Sequence, residues 1–176
     1  MSAGEPSGLE IAERAVAMAL DAGATQAEAL VIGTRSALTR FANNELHQNV
    51  AEEDTVVNLR FVDGQRVGVA SLNRHDEAAL ARLVGSAAAT ARLQPEQSDF
   101  RSLPAPRPTP LVAGAFASAT AEADPEVRAE AAAAVIAAAE AVGAQAFGYA
   151  QTGSEEVSVA NSLGIRVSEP RSRAQV

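Results

Sequence analysis

The sequence predicts an α+β fold in which antiparallel β-hairpins pack with three main helices. Three observations lead there. Apolar residues recur at helical spacing in three capped segments, period-two runs joined by Asn-Asn and Asp-Gly lie between the first two, and 47% of the 176 residues are apolar. Aromatics are only 3%, Trp is absent and Ala is the commonest residue, so the core must be built from Ala, Val, Leu and Ile. A chain of this length has about the size of one domain.

Ser7-Gly-Leu-Glu10 reads as a capping box that opens the first helix. Ile11, Ala15, Met18 and Ala22 then form an apolar stripe that Val16 and Leu20 widen, and Gly23 supplies a left-handed stop. Glu28 to Ile32 and Ser36 to Ala42 favour strands. Asn43 and Asn44 tolerate positive φ, so a hairpin into Leu46 to Val50 follows. The acidic Glu52, Glu53 and Asp54 read as a turn leading to Thr55 to Val62, where Val57, Leu59 and Phe61 alternate with polar neighbours. Asp63-Gly64 is the strongest hairpin signal and returns the chain through Arg66 to Ser71, for about four strands in this stretch.

Asn73 or Asp76 can cap the second helix, with Leu80, Leu83, Val84, Ala87 and Ala91 on one face and an end near Leu93. Five prolines between Pro95 and Pro110 mark an extended connector. Asp124-Pro125-Glu126 starts the third helix, which is expected to run to Gly143 with Val127, Ala131, Val135, Ala138 and Val142 buried. Gly143-Ala144, Ala146 to Tyr149 and Val159 to Ser162 then echo Gly23-Ala24, Ala29 to Ile32 and Phe41 to Asn44, a possible internal helix-hairpin duplication. Leu163 to Val167 reads as a returning strand, and Pro170 to Val176 as a tail without a closing strand, so a longer protein is expected.

Composition narrows the chemistry. All basic residues are Arg and the formal net charge is −8, which argues against phosphate-backbone binding. There is no Cys, so no thiolate ligand, Cys nucleophile or disulfide is available, and two His do not complete a nitrogen-ligated metal site. No run approaches the ~18 apolar residues of a membrane span, and the first residues lack a signal-peptide pattern. The expectation is a cytoplasmic protein with no nucleic-acid or membrane partner.

His47 shares a strand face with Glu45, so an acid-base pair is geometrically possible, beside the plainer reading of a surface or partner-facing His. His75-Asp76-Glu77 matches the H-x-E of zinc deaminases without their cysteines and reads as a helix N-terminus. Glu52, Glu53 and Asp54 read as a solvated link, and neither a phosphate loop nor a G-x-S-x-G elbow is present.

Four segments carry a family resemblance. Ser36-Ala-Leu-Thr-Arg-Phe-Ala-Asn-Asn-Glu-Leu-His-Gln-Asn-Val50, Gly64-Gln-Arg-Val-Gly-Val-Ala-Ser-Leu-Asn73, Ala91-Arg-Leu-Gln-Pro95 and Val159-Ala-Asn-Ser-Leu-Gly164 resemble, in that order, the N-terminal domain of TldD/PmbA proteins, also called modulators of DNA gyrase. The Asn-Asn-Glu-Leu-His-Gln-Asn segment is nearer the PmbA (TldE) branch. The resemblance implies a dimeric cytoplasmic family in which TldD is a zinc metallopeptidase acting on unfolded peptides, with two His and a Glu from HExxxH and a later Cys. This sequence has no HExxxH and no Cys, so no catalytic, cofactor or metal residue is carried over and the chain is expected to be inactive alone.

The resemblance makes 1–176 a single N-terminal domain: helix, sheet and helix over 7–93, a Pro/Ala-rich connector over 94–123, and helix plus hairpin over 124–167, without the C-terminal domain. Its implied partners are unfolded peptide and a second subunit, a copy of itself or a TldD/PmbA relative. Asn43, Asn44, His47, Gln48 and Asn161 are the candidate peptide or partner contacts. The alternative is a stand-alone interaction module, or truncated product, that binds a full-length relative.

Overall fold

The computed structural model describes residues 6–108, 110 and 112–176; the N-terminal pentapeptide and two connector residues, 109 and 111, lie outside the described residues. The elements run α1 (Gly8–Asp21), β1 (Gln26–Ala42), β2 (Glu45–Asp63), β3 (Arg66–Leu72), α2 (Glu77–Leu93), α3 (Ser118–Ala121), α4 (Pro125–Glu140), β4 (Gly148–Asn161) and β5 (Arg166–Gln175). The five strands form an antiparallel sheet of order β3-β2-β1-β4-β5, so the α+β class with three main helices holds and α3 adds a single turn. A duplication of helix and hairpin is not shown.

The chain divides into two compact units, and β1, β2, β4 and β5 each contribute residues to both. The first comprises the described residues among Met1–Gly33, Thr55–Leu111 and Glu156–Glu169. Here local signals and packing agree. Ser7 accepts the Glu10 N–H while the Glu10 carboxylate accepts the Ser7 N–H at 2.7 Å, closing the capping box. At the other end Ala24 N–H reaches Ala19 O and Gly23 N–H reaches Leu20 O, a Schellman stop that Gly23 permits at φ +95.

The helix buries Ile11, Ala12, Ala15, Val16 and Ala19. Leu20 and Ala22, expected on that stripe, are exposed. Below lie Ala27, Ala29 and Val31 of β1 and Val57, Leu59 and Phe61 of β2, the period-two face expected of a half-buried sheet. Leu80, Leu83, Val84, Ala87 and Ala91 of α2 complete this core, as their spacing predicts. Each fully buried Leu here contributes about 1.5–3 kcal/mol. Small residues bring the layers close: a Cβ on Gly68 of β3 would lie 2.1 Å from the Ala87 carbonyl oxygen and 2.4 Å from the Ala91 nitrogen of α2.

The second unit comprises Thr34–Asp54, Val112–Glu155 and Pro170–Val176. Its apolar centre is small: Phe41, Ala132 and Ala146, with Ile136 and Ala139 packed against them. Three expectations are corrected across the two units. Glu52, Glu53 and Asp54 are not a turn but lie inside the continuous β2, so the stretch to residue 72 holds three strands instead of four. No Gly, Pro or Asn interrupts β2 there, and pairing with β1 outweighs the weak strand propensity of acids.

The buried side of α4 is likewise different: Val127, Val135 and Val142 are 52%, 38% and 78% exposed, Ala138 is exposed, and Arg128 and Ala132 are buried instead. In an Ala-rich helix nearly every face is apolar, so the spacing of three valines carries little directional information. The helix ends at Glu140, short of Gly143. Finally, Leu163 lies in a turn, and β5 starts at Arg166 and continues through Pro170 to Gln175. Pro is compatible with this position because β5 is the last strand of the sheet and one of its sides needs no N–H donor.

Candidate functional site

A difference in strand length creates the feature best suited to function. Asp63 and Gly64 turn the chain at Gly64 φ +62, and β3 then pairs with β2 only from Val57↔Leu72 to Asp63↔Arg66. After Leu72 the chain leaves for the helix that Asp76 caps through the Ala79 N–H. The 19-residue β2 therefore outruns the 7-residue β3. Its Glu45–Asp54 portion, within the second unit, presents one row of backbone N–H and C=O groups that no strand pairs among the described residues.

The side chains of this portion are exposed except for half-buried Val50. Acids Glu45, Glu52, Glu53 and Asp54 line it, a charge distribution that discourages edge-to-edge aggregation. Leu46, His47, Gln48 and Asn49 border a shallow cavity of about 340 Å³ with Thr39 and the first turn of α4. Such an edge can accept an extended peptide through main-chain hydrogen bonds, with the cavity receiving a side chain.

The candidate contacts from the sequence fall into distinct settings. Asn43 and Asn44 occupy the β1–β2 turn at φ +52 and +63, as expected of a hairpin through two Asn residues. Asn44 is also a clamp: its amide donates to the Ala144 carbonyl at 3.2 Å, and its oxygen accepts the Ala146 N–H at 2.6 Å. His47 and Gln48 lie on the free part of β2 and border its cavity. Asn161 belongs to the first unit and is buried, accepting N–H groups of Leu163 and Ile165 at 3.0 Å and donating to the Pro104 carbonyl at 2.8 Å. Its geometry is that of a turn organiser. The sequence marks Leu46 to Val50 as an edge strand able to take an extended peptide, and how far that edge extends along β2 depends on where β3 stops.

A zinc ion of the kind the resemblance implies does not fit this chain's residues. There is no Cys, His47 and His75 belong to different units, and among the described residues no group of three or more His, Cys, Asp or Glu could hold a metal. Among the described residues, no helix is long and apolar enough to cross a membrane.

Residues 27–91 match the family model for PmbA/TldA metallopeptidase domain 1. No curated protein matches the chain. Among solved structures, TldE from Thermococcus kodakarensis is similar at 21% identity with a TM-score of 0.79, over 93% of this chain and 37% of that one. A protein described as a modulator of DNA gyrase from Bacteroides thetaiotaomicron VPI-5482 is similar at 16% identity and TM-score 0.80, over 93% and 38%. One of the same description from Thermotoga maritima MSB8 gives 15% and 0.67, over 94% and 37%. At these identities the structures show a shared fold. The chain spans well under half the length of each.

Proposed function

We propose that this chain, whose residues 27–91 match PmbA/TldA metallopeptidase domain 1, is an N-terminal domain of the TldD/PmbA family and serves as a non-catalytic domain in the proteolysis of unfolded peptides by a zinc metallopeptidase. It guides the peptide and contributes a subunit contact, while the zinc chemistry belongs to another segment or another subunit. The partner is a second copy or a TldD/PmbA relative, and the setting is cytoplasmic. The observation that carries this reading is the free edge of β2 from Glu45 to Asp54, a strand template beside a side-chain cavity. Main-chain pairing suits unfolded peptides because it reads the backbone that all of them share. The absence of HExxxH and Cys from the sequence puts none of the family's metal ligands on this chain.

The test is a titration of the isotopically labelled chain with an unfolded casein fragment, followed by amide NMR. The amides of Glu45 to Asp54 should shift together and saturate, and a peptide N-methylated at alternate residues should bind far more weakly. Shifts that spare this stretch, or that ignore N-methylation, defeat the reading.

A further inference from the structure

The edge of β2 from Glu45 to Asp54 carries charge that main-chain pairing does not need. Glu45, Glu52, Glu53 and Asp54 are all exposed there. Arg35 engages Glu53 at 2.8 Å, whereas Glu45, Glu52 and Asp54 form no ion pair among the described residues. Glu52 and Asp54, two residues apart, share one face of the strand.

The cavity beside the edge repeats the pattern. Its lining joins Thr39 and Leu46 to Asn49 of the sheet with Pro125, Glu126 and Ala129 of α4. Glu126 is exposed and without an ion pair among the described residues, and the side chain of Asp124, the N-cap residue before it, makes no capping hydrogen bond. The helix N-terminus itself brings only about half a positive charge, which these two carboxylates outweigh.

Arginines of the same unit do not restore the balance. Arg35 is taken by Glu53, and Arg128 is 3% exposed, donating to the Ala123 carbonyl and to Thr152 Oγ1. Arg171 and Arg173 lie on β5, which β1 and β4 separate from β2 in the sheet. Arg40 of β1 is the one guanidinium of this part of the hairpin left without an acid among the described residues.

We propose that the edge selects basic stretches of unfolded peptide, those rich in Lys or Arg, over neutral and acidic ones. This rests on the peptide reading of the β2 edge and adds what that edge prefers. Opposite charges on neighbouring strands attract and like charges repel, so lysines of a paired peptide gain at Glu45, Glu52 and Asp54. A lysine entering the cavity lays its methylenes along Leu46 and Ala129 and carries its ammonium toward Glu126. The same acids act against a wrong partner, because a second copy pairing at this edge would set its carboxylates against these.

The test uses three peptides about ten residues long, capped at both ends, that differ only in carrying Lys, Gln or Glu at the same four positions, two on each face. Each is titrated into the isotopically labelled chain, and the amides of Glu45 to Asp54 are followed. At roughly twofold per exposed pair, the Lys peptide should bind about tenfold tighter than the Gln peptide, and the Glu peptide more weakly than either. Raising salt from about 0.02 M to about 0.5 M should shrink that advantage. The combined substitutions Glu45→Gln, Glu52→Gln and Asp54→Asn should bring the Lys peptide close to the Gln peptide. Removing three exposed acids of the first unit, by Asp21→Asn, Glu77→Gln and Asp99→Asn, should leave the advantage in place. Equal binding of the Lys and Gln peptides overturns the selection while the edge reading stands, and no saturable shift with any of the three overturns both. An advantage that the first-unit substitutions remove as fully as the edge substitutions overturns the selection as well.

Discussion

Asn44 shows how one residue can serve sequence-local and long-range needs together. Its positive φ makes the β1–β2 turn, and its amide holds the backbone of Ala144 and Ala146 at the entry to β4. Asn44→Ala should cost about 2 kcal/mol, from two lost hydrogen bonds and an unfavourable φ for Ala. Asn44→Gly should recover the backbone share alone, leaving it between the two in thermal denaturation. An Asn44→Ala variant melting with the parent would show that the clamp carries no stability. The turn was legible in the sequence, because two consecutive Asn residues announce it. The clamp was not, since its acceptor lies 100 residues away.

At the scale of elements, close packing decides more than propensity. The α2 face was readable because Leu80, Leu83, Val84, Ala87 and Ala91 contrast with polar neighbours at helical spacing. The α4 face was not, because alanine surrounds that helix and contrast disappears. Gly68 marks a close approach of β3 to α2, with the backbone of Ala87 and Ala91 facing the missing Cβ. Gly68→Ala should lower stability by about 3 kcal/mol or more, since backbone must move to make room. Urea denaturation measures this, and a loss no larger than that of an exposed Gly85→Ala control would refute the close approach.

For the whole molecule, acid sensitivity follows from two helix starts in the first unit. The Glu10 carboxyl is held below its ordinary 4.5 by the hydrogen bonds from the Ser7 N–H and hydroxyl. That of Asp76 is held below its ordinary 3.8, chiefly by the Ala79 N–H it accepts. Both pKa values are lower folded than unfolded, so their stabilisation is complete above the ordinary values and is lost as pH falls through the depressed folded ones. Melting temperature followed against pH should therefore fall below about pH 4.5. The paired substitution Glu10→Gln and Asp76→Asn should flatten that fall, and an unchanged acid slope would remove these caps from the account.

The sequence by itself determined the α+β class, both ends of α1, the turns at Asn43-Asn44 and Asp63-Gly64, and the missing metal-ligand motif. Each depends on residues within a few positions of one another, where capping, φ preference and hydrophobic period act directly. Only the tertiary structure decided that β2 passes unbroken through its acids, that β5 passes through Pro170, how far the free edge of β2 extends, and that Arg128 is buried beside Thr152. Those outcomes are set by strand partners and packing neighbours tens of residues away. Local composition carries no record of which of those groups a folded neighbour will satisfy and which it will leave open.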